Sequence, residues 1–249
     1  MSRSAIRTVV FAVGFVIVYA AAVLTPLGQQ LDAATLGAFG WLSPVGRRAA
    51  GPLRDLLAVA AGVVAIATVA WLLIRRRSVD AMRITIAVAA VAGGGELLKQ
   101  FALGRPWYGD FGYAQNTLPS VHAAFVAVGF TAALSALTDS WRRRLLSWVA
   151  FVAAFLAALV GPVSYAHRAG DSLAALLLVG VAELLLPARS RAPRSRHPLR
   201  VIAAAAAGLA AAVGIAFVVV AARTGADDVL GVGVTLLFAG AAASVTLAA

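Results

Sequence analysis

The chain of 249 residues has no cysteine, a single lysine and only ten acidic residues. Without cysteine it can form no disulfide, no thiolate nucleophile and no zinc–thiolate site. Charged residues make up 12% of the chain, against about 25% in a typical soluble domain. Because this shortage of charge accompanies a hydrophobic content of 62%, the composition is typical of a membrane protein rather than a soluble one.

Long apolar runs dominate the sequence, whose mean hydropathy is +0.92. The runs are rich in Ala, Leu and Val and lack the strict alternation of a membrane β-barrel, so helices are the expected spanning elements. The first run resembles a signal peptide, but it is long for one, and we interpret it as a retained helix. A span needs about 20 residues. We predict an all-α, polytopic membrane helical bundle of about eight transmembrane helices, at residues 6–26, 53–74, 82–99, 119–138, 145–165, 170–187, 200–222 and 228–247.

The arginines are concentrated on one side of these predicted helices. The termini and every second loop carry 14 of the 21 positive residues, and the alternate loops carry the other seven. Because basic loops stay in the cytoplasm, both termini are predicted to be cytoplasmic. Topology thereby accounts for most of the net charge of +11, and no nucleic-acid partner is expected. The loops on the outer face of a cytoplasmic membrane would be 27–52, 100–118, 166–170 and 223–228.

A Pro-, Ser- and Arg-rich segment divides the predicted helices into two groups. We interpret residues 1–187 as a six-helix unit, 188–200 as a basic cytoplasmic linker and 201–249 as a C-terminal pair of transmembrane helices. The arginines of the linker are expected to set topology, and contact with anionic lipid headgroups is the alternative.

The outer loop at 27–52 matches no motif, but it contains Phe39, Trp41 and Leu42. We interpret these apolar residues as an anchor at the membrane interface. A re-entrant or surface helix is the alternative.

His167 and Asp171 are spaced i, i+4 at the start of a predicted helix, so they share one helix face. A carboxylate in this position can accept the imidazole Nδ1–H and leave Nε2 free to attack. Such a pair can form a phosphohistidine without a metal. As an isolated pattern, the pair fits a structural contact better than a catalytic one.

The segment Pro119-Ser120-Val121-His122 is typical of a helix start. Proline suits a first helical turn, and the free amides of that turn point toward an incoming anion. Ser120 can add a hydroxyl, and His122 is placed to protonate a leaving alkoxide. The alternative is an ordinary helix start with polar residues at the interface.

Two cations precede this segment. Lys99 ends the third predicted helix, and Arg105 lies in the loop that follows. A lysine at a helix end can extend its charged group to the membrane interface, and this alone would explain Lys99. However, arginine would serve topology equally well, so the use of lysine at this one position favours a role as a point charge. Arg105 offers the planar fork that clamps phosphate oxygens. Glu96 is i, i+3 from Lys99 and is predicted to pair with it.

Three segments occur in the order of the signature motifs of a known enzyme family. They are Lys99 to Arg105-Pro106, Pro119-Ser120-x-His122 and His167-x-x-x-Asp171. In this they resemble the type 2 phosphatidic acid phosphatase family in its membrane branch, which is similar to the vanadium haloperoxidases. The resemblance covers about residues 82–187 and implies a six-helix unit with its site on the outer face.

The resemblance also implies a role for each matching residue. His167 would be the nucleophile, Asp171 its orienting partner and His122 the general acid. The implied phosphate ligands, with no metal and no cofactor, are Lys99, Arg105, Ser120 and the backbone amide of Val121.

The chain departs from the family pattern at three places. Five residues rather than six separate Lys99 from Arg105. Val121 stands where the family has glycine, and its branched side chain is expected to crowd the phosphate. Gly161 stands where the family has an arginine, six residues before the histidine. Arg168, directly after the histidine, is the candidate replacement, and contact with headgroups at the interface is its alternative role.

These observations predict an integral membrane lipid phosphatase. Its substrate would be a phosphate or pyrophosphate monoester of a polyprenyl or phosphatidate-type lipid, and its partners would be this substrate and the membrane lipids. The alternatives are a lipid-linked phosphotransferase that uses the same histidines and a non-catalytic membrane protein that binds lipid phosphate.

Overall fold

The computed structural model describes residues 3–111, 114–137, 140–186 and 198–248, and in these ranges the chain forms helices and no strands. A π-helical turn at Leu98–Ala102 continues α4. The helices are α1 Arg3–Val23, α2 Pro26–Ala34, α3 Pro44–Ile74, α4 Ser78–Leu97, α5 Val121–Ala136, α6 Ser140–Val163, α7 Ala169–Ala182, α8 Pro198–Thr224 and α9 Asp227–Ala248.

Five of these helices are long and apolar enough to cross a membrane, namely α1, α3, α4 with its π-helical turn, α6 and α9. They confirm the predicted all-α class and its transmembrane character. Shorter apolar stretches lie at the remaining predicted spans, namely α5, α7 and residues Ala205–Ala221 of α8. At 16 residues, α5 is about 24 Å long, which is shorter than a hydrocarbon core of about 30 Å.

The short helix α5 lies at the centre of the bundle, in contact with α3, α4, α6 and α7. Nearly all of its residues are buried, because neighbouring helices cover it on every side. Its contact with α3 is close: a Cβ added at Gly129 would lie 3.0 Å from the Ala61 carbonyl oxygen. A helix enclosed in this way is shielded from lipid by protein, which permits its short length.

Different hydrogen bonds connect the helices at each end of the bundle. At one end, the Tyr19 hydroxyl of α1 donates to the Gly104 carbonyl after α4, and Arg47 of α3 donates to the Tyr165 hydroxyl after α6, at 2.7 and 2.8 Å. At the other end, Arg77 donates to the Ala136 carbonyl of α5 at 3.2 Å. The starts of α5 and α7 and the end of α4 therefore share one end, away from the Arg75–Arg77 loop.

The segment between α1 and α3 differs from its predicted form as a loop at 27–52. It contains the helix α2, and α3 begins at Pro44 rather than near residue 53. Each of the two helices starts with a side-chain cap followed by proline: Thr25 accepts the Gly28 N–H, and Ser43 accepts the Gly46 N–H. This pattern is a standard helix start. The helix α2 agrees with the alternative of a helix in this connection, and the predicted start of the second span near residue 53 was wrong.

Phe39 was predicted to be an interfacial anchor, but it is buried in the hydrophobic core, so this prediction was wrong. Trp41 is 68% exposed and remains available to an interface. The C-terminal helices α8 and α9 pack mainly against each other, and α9 also contacts α6 and α7. The predicted basic linker at 188–200 lies mostly outside the described residues.

Candidate functional site

The second and third motifs are joined directly through the backbone. The Ser120 N–H donates to the Asp171 carbonyl oxygen at 2.9 Å, so the start of α5 is tied to the first turn of α7. Ser120 is the N-cap of α5, and its hydroxyl accepts the Ala123 N–H at 3.5 Å. Residues 51 positions apart in the sequence thereby form one junction that brings His122 and His167 to the same end of the bundle.

Asp171 lies behind the His167 imidazole. Its Oδ2 atom is 3.4 Å from His167 Nδ1 and also accepts the Arg168 N–H at 3.0 Å and the Thr117 hydroxyl. Asp171 is fully buried, whereas the His167 side chain is 12% exposed. The carboxylate is therefore fixed by its neighbours, and His167 Nδ1 faces it at 3.4 Å without a hydrogen bond.

His122 is exposed at the first turn of α5, and the charged groups that act on its imidazole are Arg54, Asp55, His167 and Lys99. The two histidines predicted to work together are thus within electrostatic range of each other. Arg54 of α3 is a cation at this place that the sequence analysis did not consider as a ligand. It forms an ion pair with Asp55 at 3.1 Å.

Lys99 stands on the π-helical turn at the end of α4. Its Nζ atom lies 2.6 Å from the Glu96 carboxylate, which confirms the predicted ion pair. The Gln100 side-chain amide donates to the same carboxylate at 2.5 Å. π-Helical turns often mark functional positions because they alter the direction of side chains within a helix. This turn places Lys99 within electrostatic range of His122.

The Arg105-Pro106 segment is held in place by α2. The Gln29 side-chain amide of α2 donates to the Pro106 carbonyl and to the Val23 carbonyl, each at 2.7 Å. The terminal nitrogens of Arg105 are buried, and its charge acts on Asp32 of α2. The first motif is therefore fixed by a helix that the sequence analysis treated as a loop.

Arg168 is the residue before α7 and is fully buried. One of its terminal nitrogens, Nη2, donates to the Phe111 carbonyl oxygen at 2.9 Å. Burial within the protein excludes the alternative in which its side chain lies among lipid headgroups.

Val121 was expected to crowd the phosphate, but its side chain is directed toward α4. A Cβ added at Gly95 would lie 3.6 Å from Val121 Cγ2 and 3.7 Å from Pro119 Cγ. The missing side chain of Gly95 thus makes room for the branched residue at the start of α5. The valine that replaces the family glycine at position 121 is therefore accommodated by a glycine on the neighbouring helix α4.

Gly161 stands close to the predicted nucleophile. A Cβ added there would lie 3.1 Å from His167 Cβ and 3.0 Å from Ser172 Oγ, which is tighter than ordinary van der Waals contact. Any side chain at position 161, including an arginine, would have to displace one of these neighbours. The local packing therefore favours glycine at position 161 over the arginine of the family pattern.

Two N–H groups in the first turn of α7 are capped by Asp32 of α2 and by Thr35, the residue that follows α2. The Ala169 N–H donates to the Thr35 hydroxyl at 2.9 Å, and the Gly170 N–H donates to Asp32 Oδ1 at 2.7 Å. Arginine has only donor groups, so Arg168 at the cap position offers no side-chain acceptor. Asp32 and Thr35 replace it from a helix about 135 residues earlier in the chain.

Among the acidic residues of the site, Asp32 has the most strongly shifted pKa. Burial raises its pKa to about 7, and the neighbouring Asp171 carboxylate acts in the same direction. The Gly170 N–H and the charges of Arg168 and Arg105 act in the opposite direction but do not restore the ordinary pKa value. Its helix, α2, is outside the five helices long enough to cross a membrane.

No family model, curated protein or solved structure matches the chain.

Sequence reasoning missed the contribution of α2 and of Thr117 to this site. The start of α2 carried a signal, since Thr25 followed by Pro26 is typical of a helix N-terminus. No sequence signal indicated the contacts of Asp32, Thr35 and Thr117, because these contacts join residues far apart in the sequence. Only the tertiary fold places these acceptors and donors at α7.

Proposed function

We propose that the chain is an integral membrane lipid phosphatase that forms a phosphohistidine at His167. The observation that carries the proposal is the junction of Ser120 with Asp171. It places His122 and His167 at one end of the bundle, with a buried carboxylate behind His167. The resemblance of the three motifs to the type 2 phosphatidic acid phosphatases supports the same chemistry.

In the first step, His167 Nε2 attacks phosphorus and the bond from phosphorus to the lipid oxygen breaks. His122 transfers its proton to the departing oxygen, which leaves as the lipid alcohol or lipid phosphate. Asp171 stabilises the positive charge that develops on the His167 ring. The products of this step are the free lipid and a phosphohistidine.

In the second step, His122 takes a proton from water, and the resulting hydroxide oxygen attacks the phosphohistidine. The bond from nitrogen to phosphorus breaks, inorganic phosphate departs and His167 is regenerated. Lys99, Arg105, Arg168 and the amide of Val121 stabilise the charge on the phosphoryl oxygens. Such stabilisation is most of what phosphoryl transfer requires from a protein.

Hydrolysis is expected to proceed without a divalent metal, because the groups proposed to hold the phosphate are basic side chains and a backbone amide. Purified protein would be assayed for phosphate release from polyprenyl pyrophosphate, polyprenyl phosphate and phosphatidate, with and without a chelator. Activity that disappears in chelator and returns with Mg²⁺ or Zn²⁺ would contradict the mechanism. A phosphorylated acceptor in place of free phosphate would identify a phosphotransferase, and inactivity on the whole panel would favour a non-catalytic lipid-binding protein.

The eight helices at the predicted spans are proposed to cross a cytoplasmic membrane, with the site outside and both termini inside. Since the chain has no cysteine, single cysteines can be placed at Ala114, in the loop before α5, and at Ser195, which lies outside the described residues. In intact cells, an impermeant thiol reagent should label position 114, and position 195 only after permeabilisation. The reverse pattern would place the site in the cytoplasm.

A further inference from the structure

Asp32 brings a second buried carboxylate to the start of α7. Its Oδ1 atom accepts the Gly170 N–H at 2.7 Å, while its Oδ2 atom is buried and has no hydrogen-bond partner. The contact is close, because a Cβ added at Gly170 would lie 2.8 Å from Oδ1 and 3.1 Å from Oδ2. A buried carboxylate needs only one of its oxygens to cap a helix, so the second oxygen requires another explanation.

The charged groups that face Asp32 belong to the proposed phosphate site. They are Asp171 of α7, Arg168 at the start of α7 and Arg105 of the loop after α4. Burial and the Asp171 carboxylate together raise the pKa of Asp32 to about 7, so its carboxyl changes charge near neutral pH. When ionised, Asp32 offsets the same two arginines that the proposed function assigns to the phosphate.

We propose that Asp32 is a positioning residue that couples the binding of a tetrahedral phosphate-like dianion to protonation of its own carboxylate. This inference rests on the proposed function, because it takes Arg105 and Arg168 as phosphate ligands. With Asp32 neutral, both arginine charges act on the incoming anion. With Asp32 ionised, a buried negative charge opposes it.

The coupling follows from linkage between the two binding events. An anion at the arginines disfavours the ionised form of Asp32, so binding draws a proton from solvent onto the free Oδ2 atom. Reciprocally, loss of that proton weakens the binding of the anion by the same factor. A change of about one pKa unit on binding corresponds to about a tenfold loss of affinity once Asp32 is fully ionised.

Titration calorimetry of the full chain in detergent measures this proton directly. Tungstate, kept dilute enough to remain monomeric, is a suitable probe, because the monomer is tetrahedral and stays a dianion between pH 6 and pH 8. Heats of binding would be compared at pH 7.5 in two buffers that differ in ionisation enthalpy. The wild type should take up about half a proton, and its tungstate affinity should fall about fivefold between pH 6 and pH 8.

Two variants on α2 separate charge from capping. Asp32→Asn keeps an oxygen that can accept the Gly170 N–H but cannot titrate, so most of the proton uptake should disappear. Thr35→Ala removes the neighbouring cap on Ala169 and keeps the Asp32 carboxyl, so the proton uptake should remain. Loss of uptake in Thr35→Ala but not in Asp32→Asn would assign the effect to packing and overturn the inference.

The stability of the protein gives a readout that needs no ligand. Because the pKa of Asp32 is higher in the folded state than the usual value of about 4, the folded state binds more protons between these values. Its contribution to stability must therefore fall as the pH rises through 7. The unfolding temperature of the wild type, relative to Asp32→Asn, should decrease between pH 5 and pH 8.

The outcomes distinguish this inference from the proposed function. Suppose that the wild type binds tungstate, and that Asp32→Asn matches the wild type in proton uptake and in the pH profile of unfolding. Asp32 is then not the coupled group, and the inference is overturned. If the wild type binds no tungstate, the phosphate site itself fails, and the inference fails with it. If Asp32→Asn does not fold, infrared difference spectra of the wild type decide the question: a protonated carboxyl band lost between pH 6 and pH 8 supports the inference, and an unchanged spectrum overturns it.

Discussion

Replacing His167 with alanine should reduce phosphate release from a lipid phosphate by at least about 10⁴-fold, because removal of a catalytic nucleophile leaves only the contribution of substrate binding. The side chain is only 12% exposed, so its loss should also lower the unfolding temperature, and activity would be compared well below that temperature. Phosphate release would be measured with purified protein in detergent, using the best substrate of the lipid panel. The unfolding temperature would be measured on the same samples.

The third histidine provides a matched control. His197 lies in the basic linker, outside the described residues, and His197→Ala should retain full activity. His122→Ala should lose about 10²–10⁴-fold, as expected for removal of a general acid. Equal activity in His167→Ala and His197→Ala would exclude His167 as the nucleophile.

Arg168→Ala should lower turnover by about 10²–10³-fold, the usual effect of removing one donor that stabilises charge in the transition state, or about 3–4 kcal/mol. Arg168 is also fully buried, and its Nη2 atom donates to the Phe111 carbonyl. The variant loses this hydrogen bond and the packing of a fully buried side chain, so it should also unfold at a lower temperature.

Arg48→Ala is the matched control for Arg168→Ala. Arg48 lies on the first turns of α3, is exposed and donates to the Pro44 carbonyl of its own helix. Its removal should change turnover and unfolding little. If turnover in Arg168→Ala stays near normal while stability falls, Arg168 is a structural residue, and Lys99 and Arg105 remain the proposed cations.

The sequence was sufficient to predict the class of the fold. Each of the eight predicted spans corresponds to a helix, because a long apolar run in lipid must satisfy its own backbone hydrogen bonds. The errors lie between α1 and α3, where hydrophobicity gives a weak signal. There, the pairs Thr25-Pro26 and Ser43-Pro44 mark helix starts that the apolar pattern alone does not reveal.

The candidate site was predictable only in part. The motifs identified His122, His167 and Asp171 as residues that could meet, and the structure brings them to one end of the bundle. The position of Asp32 was not predictable, because its contact with Gly170 joins residues 138 positions apart. The room that Gly95 gives to Val121 also depends on the crossing of two helices rather than on either sequence segment.

The most direct test of the proposed function is identification of the phosphorylated residue. Purified wild-type protein would be mixed with a lipid phosphate for milliseconds, quenched in alkali and analysed by peptide mass spectrometry. The proposed mechanism predicts an acid-labile phosphate on the peptide that contains His167, and its absence from His167→Ala. Steady release of phosphate with no labelled peptide, or with the label on a residue other than His167, would contradict it.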